Sequence, residues 1–134
     1  FSGLKKYMED TVNFARENGY VKTMLGRKRE LRDINSRNGF IASNSERVAI
    51  NTPIQGTAAD MIKVAMINIH KAFKEKNLKS RMVLQVHDEL VFDLHKEEID
   101  VVKTNVVSLM KHAVHLEVPM EVEVGVGLNW LEAH

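Results

Sequence analysis

Arg81-Met82-Val83-Leu84-Gln85-Val86-His87-Asp88-Glu89-Leu90-Val91-Phe92-Asp93-Leu94 is the stretch that decides the fold. Two apolar runs flank the polar triplet His87-Asp88-Glu89. Met82, Leu84 and Val86, then Leu90, Phe92 and Leu94, recur with period two, so each half predicts a strand with one buried face. Strands this close in sequence pair as a hairpin, with an imidazole and two adjacent carboxylates at its tip. Carboxylates on a rigid hairpin suit a divalent cation. Hairpin turns are also polar in general, and Asp favours them for local hydrogen-bonding reasons. A plain turn and a metal site both fit the triplet. His-Asp lacks the glycine that the favoured two-residue turns use, which hints that something besides turn chemistry chose these residues.

The chain has 134 residues, enough for one domain with a real core or for a piece of a larger one. At 44% hydrophobic and 28% charged it has the composition of a soluble globular protein. Without cysteine it makes no disulfide or thiolate metal site, which fits a reducing cytosol. No apolar run approaches the roughly 20 residues of a membrane span, and no signal peptide precedes the first helix. His87-Asp-Glu-Leu90 looks like an ER-retention signal, but one that works only at a C-terminus. The net charge of +1 says little about partners; its distribution says more. Lys22, Arg27, Lys28, Arg29, Arg32 and Arg37 are opposed in their stretch only by Glu30 and Asp33. Such a cluster suits phosphates, and equally a solvated loop. The opening residue, Phe1 rather than Met, points to a fragment.

In chain order, residues 2–18 predict a helix capped by Ser2 and ended by Asn18-Gly19. Residues 20–31 predict a short basic hairpin, and 33–40 a loop. Ser43 with Glu46 reads as a capping box for a short helix from about Asn44 to Asn51. Pro53 should stop that helix, and Thr52, Pro53 and Gln55 open a second one running to about Lys76. Ile54, Ala58, Met61, Ile62, Ala65, Met66, Ile69 and Phe73 form its apolar side. A third helix is expected over about 96–114. Pro119 to Gly125 alternates cleanly and predicts a last strand, joined to the central hairpin in one antiparallel sheet. The fold class is α+β: an antiparallel sheet built on the hairpin and the C-terminal strand, packed by long helices.

Arg47, Asn51 and Gln55 recur every four residues and would line one face if the helices were continuous. They offer donors to groove edges or backbone oxygens of nucleic acid; a capping residue and a solvated charge explain them as well. The six histidines show no metal-ligand spacing with a second motif, and Glu97, Glu98 and Asp100 look like first-turn helix acids. No nucleophile elbow, phosphate-binding glycine loop or zinc-helix signature is present.

Two stretches together resemble a known family. Glu46-Arg-Val-Ala-Ile-Asn-Thr-Pro-Ile-Gln-Gly-Thr-Ala-Ala-Asp60 and Gln85-Val-His-Asp-Glu-Leu-Val91 are similar to motifs of the family A DNA polymerases of bacteria. Gly19-Tyr-Val-Lys-Thr, Gly26-Arg-Lys-Arg and the ending from Glu121 through Trp130 to His134 are similar as well. The resemblance implies the C-terminal part of a DNA-directed DNA polymerase of replication and repair. Residues 1–42 would be the fingers-derived helix and basic hairpin, and 43–134 the palm portion with the third polymerase motif.

The resemblance also implies roles. His87, Asp88 and Glu89 would be catalytic, Asp88 and Glu89 as ligands of Mg²⁺ and His87 against the primer terminus. Arg47, Asn51, Gln55 and Gln85 would contact nucleic acid in the minor groove near the new base pair. Primer-template DNA and deoxynucleoside triphosphates would be the partners, in the bacterial cytoplasm at the nucleoid, with no membrane. The family's first metal motif and its nucleotide-holding fingers helix are absent and would lie before Phe1. One carboxylate site does not hold two metals, so the isolated fragment is expected to be inactive and to self-associate through surface exposed by truncation. The alternative reading is a standalone nucleic-acid-binding module without catalysis. A His-Asp metal phosphohydrolase is disfavoured, because that family carries its pair on helices.

Overall fold

The computed structural model describes residues 1–134. Helix α1 (Ser2–Asn18) leads into strands β1 (Tyr20–Lys22) and β2 (Lys28–Glu30). The long helix α2 (Gly39–Glu75), strands β3 (Arg81–Val86) and β4 (Glu89–Asp93), helix α3 (Ile99–Lys111) and a short α4 (Trp130–Ala133) follow. A single 3-10 turn, Lys96–Glu98, precedes α3. The chain divides into two compact units, Phe1–Asp60 and Met61–His134, and α2 contributes residues to both. The fold is α+β, antiparallel hairpins packed by helices.

In the first unit α1 ends as its sequence directs. Gly19 takes a left-handed φ of 79° and its N–H bonds the Ala15 carbonyl, a conformation that a side chain would disfavour. The expected Ser2 cap does not form: Phe1 holds the N-cap position and makes no side-chain capping bond. β1 and β2 pair antiparallel, Tyr20 opposite Glu30 and Lys22 opposite Lys28. Ala15, Val21, Leu31, Ile34 and Ala49 close a small core, with Val48 against it.

Helix α2 departs most from expectation. Residues 39–75 form one helix with Pro53 inside it, where two helices meeting near Asn51 were expected. Asn38, not Ser43, supplies the start signal: its Oδ1 accepts from the backbone N–H of Phe40 (3.0 Å) and Ile41 (3.4 Å). Proline removes the donor that would reach Ala49 and crowds that carbonyl, a cost of about 3 kcal/mol in a helix interior. Burial on both sides of Pro53 outweighs it. Ala49 is fully buried in the first unit's core; Ala65, Ile69 and Phe73 are buried in the second's. Ile54, expected on the apolar side, is exposed.

In the second unit Ala65, Ile69 and Phe73 pack against Val102 and Val106 of α3, and Met82, Leu90, Phe92 and Leu94 of the hairpin cover them. Ile69, fully buried, contributes about 1.5–3 kcal/mol. The Phe73 and Phe92 rings meet at 5.8 Å. The last strand does not form. Met120 and Val122 are half-buried between exposed Glu121 and Glu123, but Val124 is exposed, residues 119–125 join no ladder, and the sheet stays two-stranded. Alternation fixes which face is buried; ladder bonds are a separate matter. The segment is instead met by α4, whose backbone at Ala133 would collide with any side chain at Gly125.

Candidate functional site

The hairpin tip is a two-residue turn. Val86 pairs with Glu89, leaving His87 and Asp88 between the strands. Such turns need positive φ at one or both central residues, and His87 supplies it at 52° without being glycine. Backbone in that region costs a non-glycine residue about 1 kcal/mol and clusters at functional sites. Gln85 steadies the turn, its Nε2 donating to the His87 carbonyl at 2.6 Å.

On β4 Leu90 and Phe92 pack on the core as the period of two expects, although Val91 between them is half-buried too; on β3 the period fails. Pairing shifts between Met82 and Leu84, so that Val83 is an extra residue, a bulge. The bulge leaves Leu84 45% exposed, while Met82 keeps its place on the core.

The base of the hairpin is locked by Glu98. Its carboxylate accepts from the Lys79 backbone N–H at 2.9 Å and from the Ser80 N–H and hydroxyl, each at 2.8 Å. The Ser80 hydroxyl in turn accepts from the His95 N–H at 2.9 Å, which ties the residues before β3 and after β4 through one oxygen. The Lys79 N–H above all, with Ser80 and the nearby His95, holds the Glu98 carboxyl below the usual carboxylate range against the opposing effect of burial. Glu98 is therefore no ordinary first-turn helix acid. No spacing rule links it to Ser80, eighteen residues away.

At the tip Asp88 is exposed. Glu89, half-buried beside it, has Oε1 3.2 Å from Nε2 of His134. The Asn129 side chain caps α4 by accepting from the Glu132 N–H, and Trp130 meets His134 edge-on, so the hook that carries this imidazole is itself ordered. The role of His134 carried no sequence signal.

No three His, Cys, Asp or Glu side chains come together as a metal site. Mg²⁺, however, commonly takes only one or two protein carboxylates and completes its shell with water and substrate phosphates. Asp88 and Glu89 fit that share.

Arg47, Asn51 and Gln55 belong to the first unit, and Gln85, His87, Asp88 and Glu89 to the second. The continuity of α2 meets the condition on which the first group depended: all three are exposed, four residues apart, on one uninterrupted helix. Arg47 Nη2 donates to Asn44 Oδ1 at 2.6 Å.

The opposite face of α2 receives the basic hairpin. Arg27 Nε bonds Asp60 Oδ1 at 2.8 Å, and the Met24 N–H bonds the Thr57 hydroxyl at 2.8 Å. A Cβ on Gly56 would stand 2.6 Å from Thr23 Cγ2, so the close approach requires glycine. At 100° per residue, positions 56 and 60 lie about 140° around the helix from 51 and 55. The hairpin braces α2 from behind and leaves the polar stripe open.

Residues 1–132 match the family described as DNA polymerase family A. DNA polymerase I of Caldicellulosiruptor bescii is 51% identical over 129 residues, covering 96% of this chain and 15% of that protein. DNA polymerase I of Bacillus subtilis is 50% identical over 133 residues, covering 99% of the chain and again 15% of the relative. The solved structure of the POL domain of Pol1 from M. smegmatis, in complex with DNA primer-template and dNTP, is similar at a TM-score of 0.97 and 47% identity, covering 99% of this chain and 24% of that one. The chain thus spans about 15% of the length of the curated relatives it matches.

Proposed function

Because the chain belongs to DNA polymerase family A, we propose that it supplies one carboxylate site and the minor-groove contacts of a template-directed DNA polymerase. In this reading residues 1–42 derive from the fingers and 43–134 from the palm. The similar POL domain is held with DNA primer-template and dNTP, which supports those partners here. The setting would be the bacterial cytoplasm; no helix is long and apolar enough to cross a membrane.

One observation carries the proposal: Asp88 stands exposed at the tip of a hairpin that is paired along its strands and locked at its base by Glu98. A ligand on such a support keeps its position when a metal–nucleotide complex arrives. Mg²⁺ would be held in part by Asp88 and would supply charge stabilisation for an in-line displacement at phosphorus. Asp88 is the ligand this chain contributes; Glu89 lies beside it, and His87 faces the primer terminus. Gln85 holds the turn and, with less of its amide free, adds a groove contact.

Arg47, Asn51 and Gln55 present N–H donors from one face of α2. Purine N3 and pyrimidine O2 are minor-groove acceptors common to all correct pairs. Donors aimed at them test pair geometry without reading sequence, as a copying enzyme requires.

A single carboxylate site does not hold two metals, so the 134-residue chain alone is inactive in this account. The test is primer extension by the intact polymerase with Asp88 replaced by Ala. Loss of nucleotide addition with primer-template affinity preserved supports the metal role; unchanged turnover refutes it.

A further inference from the structure

Phe40 is 74% exposed in the first turn of α2, a large aromatic ring left in water. Seven residues, about two turns and roughly 10.5 Å along the axis, separate it from Arg47. At 100° per residue the two lie within about 20° of each other around the helix. Phe40 therefore prolongs the stripe of Arg47, Asn51 and Gln55 toward the start of α2. Beside it lies a hollow of about 310 Å³, bordered by Ile41 and Asn44 of α2 and by Arg29 and Arg32, with Glu30 and Asp33 among its walls. Asn44 joins hollow to stripe through its bond with Arg47.

The surroundings are cationic. Of the six Lys and Arg residues between 22 and 37, Arg27 is engaged by Asp60. Lys22 and Lys28 lie over the Tyr20 ring, at 5.6 and 4.5 Å, which leaves Arg29 and Arg32 at the hollow and Arg37 nearby in sequence, all three exposed. Arg32 comes within 3.9 Å of Glu30, at the surface, where such a pair is weak.

We propose that Phe40 is a stacking platform for an unpaired base of a DNA strand whose phosphates meet Arg29, Arg32 and Arg37. Every base has a π face, so an exposed ring accepts it without regard to sequence. Guanidinium groups suit phosphodiester oxygens through their forked donors. A duplex seated along the stripe offers no free base face along its length; the strand that runs past its paired end does. The proposal rests on the reading that the stripe meets duplex DNA.

The test compares affinities of the intact polymerase for a blunt duplex and for the same duplex with a single-stranded extension, by fluorescence anisotropy. Phe40→Ala is expected to lose about five-fold or more in affinity for the extended duplex, from the lost stacking, and nothing on the blunt one. Phe40→Tyr should bind as the wild type, and Phe40→Leu, which keeps apolar bulk without a π face, should behave as the Ala variant. Equal effects of Phe40→Ala on both duplexes, no effect on either, or wild-type binding by Phe40→Leu would overturn the proposal. Arg47→Ala should weaken both complexes; if it changes neither, the duplex reading of the stripe fails, separately from the stacking result.

Discussion

Glu98 accepts both the backbone N–H and the hydroxyl of Ser80, each at 2.8 Å, and through that hydroxyl reaches the His95 N–H on the far side of the hairpin. The Ser80 hydroxyl is thus shared between two strand ends. Ser80 is buried, so Ser80→Ala leaves the His95 N–H without its acceptor and should cost about 1–3 kcal/mol in urea unfolding.

The same contact sets a pH dependence. Glu98 titrates below its ordinary range in the folded chain, chiefly because the Lys79 N–H bonds the charged form. A depressed folded pKa means the unfolded chain takes up the proton first as pH falls. The contribution is fully present above the ordinary Glu range, near pH 4.3, and is lost as pH falls below it toward the folded value. Thermal melts at stepped acidic pH should show this limb in the wild type and a shallower one in Glu98→Gln.

Gly56 and Thr23 make a prediction with its own rescue. A methyl at 56 would lie 2.6 Å from Thr23 Cγ2, the end of a stiff, buried side chain. Gly56→Ala should destabilise the chain by about 1–3 kcal/mol despite the better helix propensity of alanine. Adding Thr23→Ser removes the opposing methyl and should recover most of the loss.

Pro53 shows where local rules gave way. Sequence signals around 51–55 were self-consistent for a helix stop and a new start, and the chain crosses them as one helix because Ala49 on one side and Ala65, Ile69 and Phe73 on the other are buried. Pro53→Ala restores a donor toward Ala49 and should raise the unfolding free energy by about 1 kcal/mol or more.

What was legible followed from short-range chemistry. The Asn18-Gly19 helix end, both hairpins and the inward set Met82, Leu90, Phe92 and Leu94 could be read directly. The Val83 bulge could not, since period two is blind to an inserted residue until the partner strand is known. Arg27–Asp60, Ser80–Glu98 and Glu89–His134 join residues 33, 18 and 45 apart, and only the folded chain brings them together. The polar stripe was visible as a spacing, but its meaning hung on whether the helix broke at Pro53.

His87 holds its positive φ at a backbone cost that glycine would not bear. His87→Gly should therefore raise stability by up to about 1 kcal/mol while lowering the rate of nucleotide addition. A rise in both would mean the turn is not strained for function.

Asp88→Asn keeps shape and removes charge, so it isolates the metal role proposed for Asp88. Single-turnover nucleotide addition by the intact polymerase, measured across a Mg²⁺ titration, should fall by about a thousand-fold, a loss of the size expected when transition-state charge stabilisation worth several kcal/mol is removed. High Mg²⁺ should not restore it. A rate within a few-fold of the wild type at any Mg²⁺ concentration would contradict the account at its centre.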